Sequence, residues 1–258
     1  MRPSPALALL VVLPAAAAAQ TTPTATPSAA TPAPHFGILG GLNSATIGGS
    51  AALLTDDDGA DVSKSRRNGV AAGVYFTLPF GTSGLALRPE LLFAQKGARY
   101  NASVAIPPSQ GVAGTVTGRG DVRLSYVEVP LLLQFTAPTA SRLRPQLYAG
   151  AAPAARLSCR FALRVSGLGQ SLTESDDCEN IPGVIEGDDT RLNVRRFDVG
   201  GVVGGALGFD VGGRALTVGV RYTHGLLAVF DEDGASDTKN RTLGVYGSIE
   251  FPFGRPRR

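Results

Sequence analysis

The sequence predicts an all-β fold: a closed antiparallel eight-stranded transmembrane β-barrel, an up-and-down meander with long extracellular loops and short periplasmic turns. Three observations lead there. Eight segments alternate apolar and polar residues with a period of two, as strands with two different faces do. Their connections alternate strictly between long and short, which gathers every long loop at one end of a meander. The polar faces hold charges of both signs opposite faces that are nearly all apolar, an arrangement that suits lipid outside and paired charges inside.

The chain begins with an export signal. Residues 1–19 hold one basic residue, Arg2, then an apolar run from Ala6 to Ala19 that is too short to span a bilayer as a helix and ends in small residues before Gln20. A cleaved signal peptide is the expectation; a membrane-anchoring helix is the alternative, and Pro14 counts against it. Residues 20–34, rich in Thr, Ala and Pro, cannot bury a core and form an extended linker. The barrel is assigned to residues 35–253, and the basic tail 254–258 to solvent.

The eight strands are placed at His35–Ala45, Gly69–Phe80, Leu85–Lys96, Val122–Thr136, Leu143–Leu157, Arg196–Val211, Arg214–Leu227 and Arg241–Phe253. Each reaches the ~9–11 residues that a tilted strand needs to cross a membrane. Long polar stretches follow the first, third, fifth and seventh; GTSG, APTASR and GG follow the second, fourth and sixth. A soluble sandwich has no reason to sort its loops in this way. A lipocalin-like barrel also has eight strands but turns its apolar side inward. In LSYVEVPLLLQF (Leu124–Phe135) the residues Val127, Val129, Leu131, Leu133 and Phe135 oppose Tyr126, Glu128, Pro130 and Gln134, and charges at membrane depth must be sheltered and paired.

The inward face therefore holds Arg88, Glu90, Lys96, Glu128, Arg144, Asp198, Asp210, Arg221 and Glu250, nearly balanced in sign and expected to form an ion-paired structural network. Eight strands leave room only for packed side chains, so no open pore is expected. Gly200, Gly204, Ala206 and Gly208 on the sixth strand would make space for the arginines. Pro130 cannot donate to the ladder, and a local bulge or a missing bond is expected there. With no Trp, Phe and Tyr alone must form the aromatic girdles.

The 2 cysteines, Cys159 and Cys178, have no further ligands close by in sequence, and in an exported chain they predict a disulfide, one that closes a loop and does not staple a core. Only His35 and His224 could act as imidazole bases. His224 lies on the outward parity beside Tyr222, where an interfacial side chain explains it as well as a lipid-modifying base does; no serine partner matches it. The clusters DDDGAD (Asp56–Asp61) and DEDGASD (Asp231–Asp237) depart from the spacing of a twelve-residue calcium loop and read as solvated loop charge. A formal net charge of +3 excludes a basic surface large enough for nucleic acid. No catalytic residue, cofactor or metal is expected. The partners expected are outer-membrane lipid and an envelope or secretion-system protein met through the extracellular loops, with a lipid-modifying enzyme or a small-solute conduit as the alternative.

Four stretches carry a family resemblance: GILGGLNSA (Gly37–Ala45), LRPELLFAQKG (Leu87–Gly97), LSYVEVPLLLQF and LTVGVRYTHGL (Leu216–Leu226). Together, over about residues 36–253, the chain resembles the PorT-like outer-membrane β-barrel family. The resemblance implies an eight-stranded barrel in the bacterial outer membrane and brings no catalytic residues. It also points toward protein export across the outer membrane, although the long acidic loops and the cysteine pair depart from the family's pattern.

Overall fold

The computed structural model describes residues 33–48, 61–106, 114–139, 141–178, 194–212, 214–230 and 238–252. The signal, nearly all of the linker, Phe253, the basic tail and both acidic clusters apart from Asp61 lie outside the described residues.

Ten strands form one antiparallel sheet: β1 (His35–Ile47), β2 (Asp61–Pro79), β3 (Leu85–Ile106), β4 (Gly114–Glu128), β5 (Leu131–Thr136), β6 (Leu143–Gly167), β7 (Gln170–Asp177), β8 (Phe197–Val211), β9 (Arg214–Ala228) and β10 (Lys239–Pro252). The ring runs β1–β2–β3, then β4 with β5, then β6–β8–β9–β10, and β10 returns to β1. The barrel thus has eight staves. β4 and β5 make one stave, and β7 folds back on the far end of β6 as an added hairpin. Closure pairs both edges of each stave in its membrane-crossing part, which a sheet immersed in lipid requires.

The break between β4 and β5 is at Pro130. Pairing with β3 keeps one register on both sides of it, Leu92↔Glu128 and Pro89↔Leu131, and Glu90 N–H still donates to Pro130 O at 2.9 Å. The cost is the bond Pro130 cannot donate; there is no bulge at this point. The register shift in this stave is at Ser125/Tyr126, where Ser125 faces Ser158 and Tyr126 faces Arg156. Leu157 is the extra residue, so the inward parity on β6 changes from even to odd numbers beyond it.

Lipid-facing and interior positions are inverted relative to a soluble protein. Leu42 is 69% exposed and Val245 54%, while Arg88 and Arg221 are each 4% exposed. At the short-turn end, Phe36 is cross-strand from both Phe76 and Phe251, and the Phe36 and Phe76 rings lie 5.3 Å apart. Phe135 and Phe209 sit at the same level on their own staves, which makes a girdle without Trp.

Four strands run further than the sequence pattern indicates. β3 has 22 residues, and β6 has 25. β2 begins at Asp61 and β4 at Gly114, and β7 lies wholly in a stretch whose pattern indicates loop. Above the bilayer neither face need be apolar, so GARYNASVAI and GTVTGRGD keep their β-forming residues while losing the hydrophobic alternation that marks a half-buried strand.

Candidate functional site

Two regions collect the charged chemistry: the barrel interior and the sheet that stands on its extracellular end. Inside, the residue opposite each of three tyrosines is glycine: Tyr75 faces Gly37, Tyr246 faces Gly41, and Tyr148 faces Gly204. A Cβ at Gly37, Gly41 or Gly204 would run into the facing ring. The rings lie flat across the neighbouring stave and become platforms for cations. Arg88 Cζ is 3.8 Å from the Tyr75 centroid, and Arg221 Cζ lies 5.2 and 5.0 Å from those of Tyr148 and Tyr246. The space at Gly204, expected to admit an arginine, is filled by Tyr148; Gln146 occupies the space at Gly208 and Thr223 that at Gly200. The expectation missed that tyrosines on neighbouring strands reach across first.

Glu90, on β3, gathers two guanidiniums. Arg221 Nη1 and Nη2 donate to its two oxygens at 2.8 Å each, and Arg88 Nε lies 2.8 Å from Oε1. Arg88 Nη1 also donates to Gln134 Oε1 at 3.1 Å. One layer higher, Lys96 Nζ lies 2.6 Å from Glu128 Oε1 and 5.3 Å from the Tyr126 ring. The partner of Glu128 is thus Lys96. Glu250 accepts from the Tyr75 hydroxyl at 2.9 Å, and Asp198 accepts from Asn240 Nδ2 at 2.8 Å. Arg144 and Asp210, expected in this interior network, instead pair at 2.7 Å at the short-turn rim, with side chains 39% and 59% exposed. Their parity points inward, but each lies one residue from the short-turn end of its strand, beyond the sheltered layer.

Above Lys96 the interior turns apolar. Ile47, Val122, Leu124, Cys159, Cys178, Val194, Val229 and Phe230 pack into one buried cluster flanked by Tyr100 and Phe161. The disulfide between Cys159 and Cys178 belongs to this cluster. This corrects the expectation of a bridge that only closes a loop: the parity change after Leu157 turns Cys159 inward, so the bridge also ties β7 over the mouth.

Outside this cap, β2, β3, β4, β6 and β7 continue as a sheet. Asp121 lies between Arg67 Nε at 2.9 Å and Arg99 Nε at 2.8 Å. Partial burial pushes its carboxyl up, but the hydrogen bonds and charges of Arg99 and Arg67 outweigh that and hold it below the usual carboxylate range. His224, on the outward face, has its Nδ1 3.3 Å from the Tyr222 hydroxyl. His35 opens β1 at the opposite end, so the two histidines do not meet. Among the described residues no group of three His, Cys, Asp or Glu could hold a metal ion.

A family model described as an outer membrane protein beta-barrel domain matches residues 19–231. The chain belongs to that family. It is therefore a β-barrel protein of the bacterial outer membrane, and its long loops face the cell exterior. Solved structures similar to it include OprG from Pseudomonas aeruginosa, at 13% identity over 86% of this chain and 97% of that one, TM-score 0.40. Another is the outer membrane protein AlkL in lipid bilayers, at 16% over 93% and 100%, TM-score 0.41. A third is Neisserial surface protein A, at 13% over 84% and 97%, TM-score 0.38. A comparison with curated protein sequences finds no match.

Proposed function

We propose that this outer-membrane barrel is a non-enzymatic binding and assembly module whose extracellular sheet and loops meet a partner. The observation that supports this most is the length of its strands. A stave needs ~9–11 residues to cross the bilayer, yet β3 and β6 have 22 and 25 and are joined above the membrane by β4 and β7. Paired strands standing clear of lipid form a rigid platform, and a rigid platform lowers the entropy cost of binding. The packed, charge-paired interior and the apolar cap favour a wall over a conduit. His224, its ring tilted beside that of Tyr222 on the lipid-facing side, serves as an interfacial anchor. The PorT-like resemblance makes a protein-export or envelope component the partner class.

The test is crosslinking in intact cells followed by isolation of the barrel from outer membranes. Replacing Ala162–Ser175 with a short turn removes the outer part of the β6–β7 hairpin while leaving the disulfide and the staves in place. A specific envelope protein is expected to crosslink to the wild type and to be lost from the trimmed variant, with His224→Ala behaving as wild type. A lipid-modifying activity abolished by His224→Ala would overturn the reading.

A further inference from the structure

The outward face of the extracellular sheet is dominated by arginine. Arg123 on β4 stands directly opposite Arg160 on β6, and four residues further out Arg119 stands opposite Arg164. Like charges directly across a ladder destabilise a sheet, and here two such pairs share one face. Of the four, Arg160 alone meets a carboxylate among the described residues. Arg119 Nε donates to Asn101 Oδ1 and Arg164 Nε to Thr173 Oγ1, each at 3.1 Å and each a neutral acceptor. Arg160 pairs across the β6–β7 ladder with Asp177, its Nε 3.9 Å from Oδ1 and both side chains largely exposed, a long pair that leaves the face with a net positive charge. Arg123 has no carboxylate partner among the described residues, and Asp121 beside it is already shared by Arg67 and Arg99.

The height of this face identifies its occupant. On β4–β5 the outward residues from Phe135 to Val127 are apolar and span nine residues, one membrane crossing. On β3 the run from Leu85 to Phe93 is as long. Ser125 and then Arg123 come next on the same face, followed by Asp121 and Arg119; on β6, Leu157 is followed by the outward Ser158 and Arg160. The first pair of arginines therefore falls at headgroup depth, continuous with the lipid-facing band, and the second lies just above it.

We propose that this arginine face binds the phosphate groups of lipids in the outer leaflet. Guanidinium forks match phosphate oxygens in two-point contacts, and a bound phosphate between opposed arginines turns a repulsive pair into an attractive triplet. The proposal needs the membrane location and stands independently of any protein partner at the loops.

The experiment measures equilibrium binding of a fluorescent diphosphoryl lipid A to the whole folded barrel in neutral detergent micelles. Wild type is expected to bind saturably and more weakly as salt rises. At about fivefold per arginine near a membrane surface, Arg123→Gln with Arg160→Gln should weaken binding about 25-fold. Arg119→Gln with Arg164→Gln should also weaken it, and it takes over the test if the first pair of changes does not fold. Arg144→Gln, at the other rim, should bind as wild type. Without lipid, the Arg123/Arg160 double variant should unfold no earlier than wild type, because a repulsion is removed and the Arg160–Asp177 pair lost with it is long and exposed. Equal binding by wild type and both double variants, or equal binding of the dephosphorylated lipid, would overturn the proposal. So would self-association of the wild type through this face, seen by sedimentation and lost in the variants, because the occupant would then be a second copy.

Discussion

Replacing Glu90 with Gln removes the negative charge that Arg88 and Arg221 share while keeping its shape. The carboxylate is fully buried and is held by Arg221 through two 2.8 Å bonds and by Arg88 at 2.8 Å; both arginine side chains are within 5% of complete burial. Gln offers one neutral acceptor oxygen where three cationic donors point and sets its own NH2 against them, so two buried guanidiniums are left without a counter-charge. Breaking a buried pair in this way costs about 3–5 kcal/mol. Arg88 keeps Gln134 and the Tyr75 face, which limits the loss, but the sum remains a large fraction of the ~5–15 kcal/mol that typically holds a fold together. The assay is urea unfolding in lipid vesicles, followed by the faster gel mobility that a closed barrel keeps until it is boiled. The control is Arg144→Gln, whose water-exposed pair should be worth no more than ~1 kcal/mol. A second variant, Glu90→Gln with Arg221→Met, should recover part of the loss through coupling of ~0.5–3 kcal/mol. If Glu90→Gln unfolds within about 1 kcal/mol of wild type, the interior layer is not organised around this carboxylate.

Two further outcomes follow from the extracellular end. Cys159→Ser should leave the gel mobility of the unboiled barrel intact, since the staves close without it, but expose the 160–177 hairpin to external protease by untying β7 and placing a hydroxyl in the apolar cap; a variant that fails to assemble would make the bridge a folding requirement. Asp121 has a folded-state pKa below its ordinary value of 3.8, so the stability it adds is complete above that ordinary value and is lost as pH falls through the lowered one. Amide exchange in 99–103 and 117–121 should therefore quicken at strongly acid pH in wild type and show less pH dependence in Asp121→Asn; equal acid responses in both would refute the Arg67–Asp121–Arg99 cluster as a brace.

The membrane part of the fold was legible because lipid imposes a strict rule on every outward residue. Val127, Val129, Leu131, Leu133 and Phe135 declare one face, and Glu128 and Gln134 the other. Water imposes no such rule, so the strands above the bilayer were hidden. One signal was available: Arg160, Ala162 and Arg164 alternate with Phe161, Leu163 and Val165 ahead of a Gly-Leu-Gly turn, in which Leu168 and Gly169 both take positive φ. That is a hairpin pattern with polar residues on one face and apolar on the other. The interior list anticipated which charges face inward but not how they are met. The partners of Arg88 and Arg221 include tyrosine rings whose reach depends on a glycine across the ladder, visible in a sequence only once the register is known. Arg144 and Asp210 were misjudged for a related reason: parity gives direction, and depth depends on where a strand ends. The burial of Cys159 could not be read at all without the extra residue at Leu157, since one inserted residue reverses every side chain beyond it.

The most direct test of the account is conductance of the purified barrel in a planar lipid bilayer. A wall filled by the Glu90, Glu128 and tyrosine layers and capped by the Cys159–Cys178 cluster predicts little or no stable ion current. A large, steady conductance from folded protein would contradict the packed interior, and with it the reading of this barrel as a platform and not a passage.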